Sequence, residues 1–156
     1  MNSLSMQTRR ITKEDFDQIV SVIDRWWGGP ISTFAHPIFF YELGDHALVV
    51  EHEKVLIGFL LGFIASRPAR TGYVHLVGIH PEFRRQGVGR FLYDRFIEEC
   101  RASGCTHMKS ITTHANEGSI QFHTALGWHF QEAEDYAGPG RKRIVFTRCL
   151  SQGEAP

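Results

Sequence analysis

The sequence predicts a mixed α/β (α+β) fold, a central sheet with helices on both faces. Three observations predict it. Apolar runs of strand length alternate with stretches whose apolar residues recur every three or four positions. Two of the runs flank the polar triplet His52-Glu53-Lys54, a hairpin signature. Capping and glycine stop signals bracket the helical stretches.

The elements follow in order. Residues 6–10 read as a first strand. Thr12 is an N-cap, with Glu14 and Asp15 in the first turn. Phe16, Ile19, Val20 and Ile23 then predict an amphipathic helix over 12–26, stopped by Gly28-Gly29-Pro30. Residues 31–41 read as a short second helix or as an ordered loop. Residues 47–51 and 55–64 are the hairpin strands, 66–72 a loop, and 73–79 a third apolar strand ended by Pro81. A glycine-containing loop leads to a helix over 88–101, with Val88, Phe91, Leu92, Phe96 and Cys100 on its buried face. Residues 108–112 form the next strand, and 118–126 a short helix ended by Gly127. Residues 128–130 and 144–147 are two closing strands, with Gly138-Pro139-Gly140 in the turn between them.

A length of 156 residues suits one domain, 1–156, with its core at about 6–150 and loose ends at 1–5 and 151–156. Hydrophobic residues at 42% and charged residues at 22% mark a globular chain. Lys plus Arg and Asp plus Glu number 17 each, which argues against broad attraction to nucleic acid or an anionic membrane. Nine histidines give scope for pH sensitivity near neutrality. Three cysteines without a C-x-x-C pair suit a reducing compartment. Residues 1–10 lack an apolar signal core, and the apolar run 55–65 is too short to span a bilayer. A cytoplasmic protein is the expectation.

The chemistry concentrates in Val77-Gly78-Ile79-His80-Pro81-Glu82-Phe83-Arg84-Arg85-Gln86-Gly87-Val88-Gly89-Arg90. A strand runs through a turn into a helix that opens with two glycines. Glycine admits a ligand close to the backbone, and a helix start offers unpaired N–H groups and a positive dipole end. Together they suit phosphate, and Arg84 and Arg85 add charge. No Walker A string occurs, and Gly87-Val88-Gly89 is not followed by the third glycine of a dinucleotide fingerprint.

Arg84, Gly87 and Gly89 match [RQ]-x-x-G-x-[GA]. With the upstream strand and the Pro81-Glu82-Phe83-Arg84 lead-in, this segment resembles motif A of the GNAT superfamily of N-acetyltransferases. Asn116, Ser119, Phe122 and Leu126-Gly127-Trp128 resemble its motif B. The resemblance spans residues 48–146, and the N-terminal third matches in element order. It implies a mainly antiparallel sheet splayed at the motif A strand, with a bulge near Val77-Gly78. It implies acetyl-CoA as co-substrate, its pyrophosphate on the backbone of Arg85, Gln86, Gly87, Val88, Gly89 and Arg90. The pantetheine arm would pair with Val77 and Ile79, touch Asn116 and pass near Ser119. The implied activity is transfer of an acetyl group to a primary amine of a small molecule or peptide, by direct attack in a ternary complex. An acyl-CoA-binding module with weak or no catalysis is the alternative. Homodimers follow by analogy alone.

The proton-transfer groups stay open. Motif B usually carries Tyr where this chain has His123. It is either the acid that protonates the thiolate or a packed ring touching the cofactor. Tyr136 is a second acid candidate, or a surface tyrosine. Tyr73 and His75 share one strand face, where some relatives carry a catalytic Glu. His75 is either the base or a hydrogen-bonded core histidine. Glu51 is a weaker candidate, otherwise an exposed strand-end residue. Trp26 and Trp27 either wall an amine pocket or cap the core. Glu132, Glu134 and Asp135 either attract a cationic amine or form a solvated charge run. The histidine spacings match no zinc pattern, and no metal is expected.

Overall fold

A computed structural model describes residues 3–150. Of the ends expected to be loose, residues 1–2 and 151–156 lie outside the described residues.

Strand β1 (Gln7–Arg10) leads into helix α1 (Lys13–Trp27). Thr12 caps the helix as its sequence position demands. Its hydroxyl accepts from the Asp15 N–H at 3.2 Å, and Asp15 Oδ2 accepts from the Thr12 N–H at 2.7 Å. Burial alone would raise the Asp15 pKa. The Arg9 guanidinium at 2.5 and 3.0 Å, with the Thr12 bonds, outweighs it and holds the carboxyl below its usual value. Gly28, at φ 76°, ends the helix and donates to the Asp24 carbonyl at 2.8 Å.

The segment left open at 31–41 resolves into a 3₁₀ turn (Ser32–Phe34) and helix α2 (Ile38–Tyr41). Strands β2 (Leu48–His52) and β3 (Val55–Ala65) form the expected antiparallel hairpin. Glu53 and Lys54 sit at φ 50° and 67°, the left-handed pair that a two-residue hairpin loop of primed type needs. Strand β4 (Thr71–Ile79) runs into a 3₁₀ turn (Pro81–Phe83) and helix α3 (Val88–Ala102). Then come β5 (His107–Thr112), α4 (Glu117–Ala125), β6 (His129–Ala133) and β7 (Arg143–Cys149). The closing strands extend beyond the expected 128–130 and 144–147, because their polar outer positions hid them from an apolar pattern. On α3, Tyr93 and Ile97 join the buried face, whereas Phe91 is only half-buried.

The strand order is β1-β2-β3-β4-β5-β7-β6. β4 and β5 pair in parallel, while β1–β2, β2–β3, β5–β7 and β6–β7 are antiparallel. The sheet is therefore mixed and mainly antiparallel, as expected. Among the described residues the chain forms two compact units. The first runs up to Phe63 and includes His75–Glu99; the second holds Ile64–Val74 and the chain from Cys100 onward. In the first, Phe16, Ile19, Ile23, Trp26 and Phe59 anchor the core. In the second, Met108, Trp128, Ile144 and Phe146 are buried. No described helix is long and apolar enough to cross a membrane.

Candidate functional site

Strand β4 supplies the first half of the site. Its residues alternate, with Val74, Leu76 and Gly78 buried and Tyr73, His75, Val77 and Ile79 half-buried. Registered pairing with β5 runs from Thr71↔His107 to Val74↔Ser110. β4 then continues for five residues, His75 to Ile79, beyond the last registered pair. A strand edge without a ladder partner presents N–H and C=O groups that an extended ligand can complete. Gly78 is explained by packing: a Cβ there would lie 2.3 Å from the Phe59 ring. Between β2 and β3 the register shifts at Val50–Glu51, where Val50 opposes Gly58 and Glu51 opposes Leu56, so Ile57 of β3 is the extra residue.

The loop after β4 supplies the second half. The His80 N–H donates to the Ile57 carbonyl at 2.8 Å, and His80 Nδ1 accepts from the Glu82 N–H at 3.1 Å. Arg85 (φ 61°) and Gly87 (φ 84°) are both left-handed, which curls the backbone into a concavity of the kind that gathers N–H groups around an anion. A Cβ on Gly87 would meet nothing within 4 Å, so Gly87 serves its dihedral and the open space beside it. The first intrahelical bond of α3 runs from the Phe91 N–H to the Gly87 carbonyl at 3.0 Å. The N–H groups of Val88, Gly89 and Arg90 precede it and face the helix start. Val88 is 1% exposed and packs where Gly58 leaves room on β3, which fixes that helix start. Gln86 Nε2 donates back to the Glu82 carbonyl at 3.1 Å. The Arg84 guanidinium donates to the Trp26 carbonyl, which clamps the loop to the end of α1, and Arg84 and Arg85 are both exposed.

The other expected residues of this unit divide. His75 Nε2–H donates to the Phe34 carbonyl at 2.6 Å, and its ring stacks on Phe39 at 3.7 Å. Burial lowers its pKa more than that bond raises it. The ring is therefore neutral at physiological pH, with Nδ1 as the proton-accepting atom. Phe34 is not marked for this site by the sequence, whereas Phe39, with Phe40 and Tyr41, reads there either as an amine-pocket wall or as a core cap. The aromatic run was visible, but a backbone carbonyl leaves no mark in a sequence. Trp26 must be withdrawn as a pocket wall: it is 3% exposed and stacks on Phe59, while the adjacent Trp27 is 46% exposed. Glu51 accepts from the Arg9 guanidinium at 2.7 Å.

In the second unit, Asn116 caps α4. Its Oδ1 accepts from the Ser119 N–H, and its Nδ2 donates to Thr112 Oγ1, both at 3.1 Å. His123 is 4% exposed, stacked on Phe146 at 3.9 Å and edge-on to Trp128 at 5.2 Å. Its Nδ1–H donates to the Ser119 carbonyl at 2.8 Å. Burial lowers its pKa, so the charged form that would protonate a thiolate is disfavoured. His123 is packed against Phe146 and Trp128. Burial pushes the Tyr73 phenol up to about 12. Tyr136 is 42% exposed, and the Lys109 ammonium lies 5.0 Å from its ring. Glu132 pairs with Lys142 at 3.1 Å, and Asp135 accepts from the Gly140 N–H at 2.7 Å, so both acids brace their own hairpin.

The pairing of β4 with β5 is parallel, β1–β2, β2–β3, β5–β7 and β6–β7 are antiparallel, and β4 is followed in the chain by a glycine-flanked helix start. The chain belongs to the Acetyltransferase (GNAT) family, whose description matches residues 13–128. Solved structures agree in fold. Ard1 from Thermoplasma volcanium is 18% identical, with a TM-score of 0.79 over 96% of this chain and 100% of that one. The ribosomal-protein-S18-alanine N-acetyltransferase of Escherichia coli is 17% identical, with 0.76 over 97% and 99%. yncA from Salmonella typhimurium, solved with its cofactor acetyl-CoA, is 20% identical, with 0.68 over 99% and 98%.

Proposed function

We propose that this chain transfers an acetyl group from acetyl-CoA to a primary amine, by direct attack within a ternary complex. The observation that carries the proposal is the β4 edge, His75 to Ile79, running into the curled backbone from Arg85 to the start of α3. The pyrophosphate sits on the N–H groups of residues 85–90. The pantetheine arm pairs with Val77 and Ile79, and a backbone N–H of that edge polarises the thioester carbonyl. Asn116 caps α4 through Oδ1 and gives one Nδ2–H to Thr112, so its second N–H can serve a ligand at the α4 start. Family membership and the acetyl-CoA bound to yncA support the choice of cofactor.

The amine nitrogen forms the new C–N bond, the C–S bond breaks, and CoA leaves as a thiolate. His75 Nδ1, directly or through water, takes the ammonium proton; Tyr136 is the remaining candidate to protonate the thiolate. His75 works as a base only when neutral. The rate therefore falls as pH drops through its pKa, below the ordinary 6.5, and is level above. His75→Asn is expected to lose that acid limb and roughly 10²–10⁴-fold in turnover. An unaltered pH–rate profile removes the assignment.

The test of the function is calorimetric titration with acetyl-CoA, with NAD and ATP as controls. A thiol-release screen of small primary amines and peptide N-termini follows. The peptides belong in the panel because the Escherichia coli structure is named as a ribosomal-protein-S18-alanine N-acetyltransferase. The alternative, an acyl-CoA-binding module with little catalysis, is favoured by the packed, neutral His123 at the usual tyrosine position. Selective binding with turnover supports the enzyme, binding without turnover across the panel supports the module, and absence of acetyl-CoA binding refutes both.

A further inference from the structure

Helix α3 ends in a hydrogen-bond pattern that brings two cysteines together. The Cys105 N–H donates to the Cys100 carbonyl at 2.9 Å, and the Gly104 N–H to the Arg101 carbonyl at 3.0 Å. Gly104 is left-handed, at φ 83°. These bonds are those of a Schellman ending, in which the side chains now occupied by Cys100 and Cys105 meet, usually as an apolar pair. Here the two thiols share a hydrogen bond. Both are buried, at 0% and 4% exposure, whereas Cys149 is exposed. Cys100 is also held in place from behind: a Cβ added to Gly72 would lie 2.4 Å from its sulfur and 2.8 Å from that of Met108. The turn is braced on its outside. Arg70 Nε donates to the Ser103 carbonyl at 2.6 Å, and the Thr106 N–H to the Arg70 carbonyl at 2.9 Å. Acetyl transfer has no use for either thiol.

We infer that Cys100 and Cys105 form an oxidisable dithiol that closes to an intramolecular disulfide with a small disulfide oxidant of the glutathione class. The Cys105 thiolate attacks one sulfur of oxidised glutathione, forming a mixed disulfide and releasing one glutathione thiolate, which takes the proton. The Cys100 thiolate then attacks the Cys105 sulfur and releases the second glutathione. Two protein thiols are oxidised to one disulfide, and one glutathione disulfide is reduced to two thiols. Burial raises the Cys105 pKa, so the first step is slow at neutral pH and faster in mildly alkaline buffer. The closed bond ties the last turn of α3 to the chain entering β5, and slows local opening there.

The test uses the full chain with Cys149→Ser, which leaves the two paired thiols. It is held with oxidised glutathione in mildly alkaline buffer, then denatured, alkylated and weighed. The expected chain has lost the mass of two hydrogens, resists alkylation at both positions, yields a Cys100–Cys105 cross-linked peptide, and regains both thiols with dithiothreitol. A second arm removes access as a barrier: the chain is unfolded in urea and refolded to equilibrium in a glutathione redox buffer. The same cross-link after refolding, even where the native reaction is too slow to follow, supports the pair. A refolded chain with two free thiols, or with glutathione retained on Cys105, overturns it.

Discussion

His75 and His123 show how similar imidazoles acquire different uses. Each donates one ring N–H to a backbone carbonyl and stacks on a phenylalanine, and burial lowers the pKa of each. His75 is half-buried, on the strand face that carries Val77 and Ile79; His123 is enclosed by Phe146, Trp128 and Phe122. His123→Phe preserves a flat ring on Phe146 and is expected to keep turnover within about tenfold of the parent, whereas removing a general acid costs roughly 10²–10⁴-fold. Turnover and thermal midpoint measured together decide it: a loss of a hundredfold with an unchanged midpoint would restore the acid role. The sequence offered both readings at this position, since a histidine on a helix does not announce its neighbours. Trp26 and Trp27 make the same point. Adjacent helical residues point about 100° apart, so one had to leave the core, but only the packing onto Phe59 says which.

Among the elements, the loop before α3 was the most legible, because dihedral demand writes itself as glycine. Gly87 is left-handed with open space around it, so Gly87→Glu meets no clash but strains the dihedral by about 1–2 kcal/mol, a cost that Gly87→Ala shares, and it alone sets a carboxylate where an anion would bind. It is expected to weaken acetyl-CoA binding by about a hundredfold or more, about 3 kcal/mol, with Gly87→Ala retaining most affinity. Calorimetry on the two variants checks this, and equal affinities would move the pyrophosphate elsewhere. Gly78 is a different kind of glycine. Gly78→Val drives a Cβ into the Phe59 ring and is expected to lower stability by about 1–3 kcal/mol or more in urea unfolding. A neutral result there would show that Phe59 can move aside. The segment 31–41 was illegible for the opposite reason. Its helical pieces are too short for a 3.6-residue period to show, and its partner on β4 is distant in sequence.

At the scale of the molecule, the parallel pairing of β4 with β5, registered from Thr71↔His107 to Val74↔Ser110, was not readable from local pattern, because its partners lie 36 residues apart in the chain. Resemblance supplied the mainly antiparallel sheet where periodicity had no pairing to offer. The molecule-wide consequence that residue chemistry does predict is its response to acid. His75 in the first unit and His123 in the second both have lowered folded pKa values, so the unfolded chain binds protons that the folded chain refuses. Their contribution to stability is complete above the ordinary 6.5 and is lost as pH falls through their folded values. A second loss belongs to Asp15, whose pKa Arg9 and Thr12 hold below 3.8; its contribution is present above that value and disappears only in stronger acid. Urea midpoints across a pH series are therefore expected to fall in two separated stages. His123→Phe should shrink the first stage and leave the second, because its neutral ring takes up no proton on unfolding. A first stage of undiminished size in that variant would mean that His123 is already charged in the folded protein, and its place as a packed neutral ring would have to be given up.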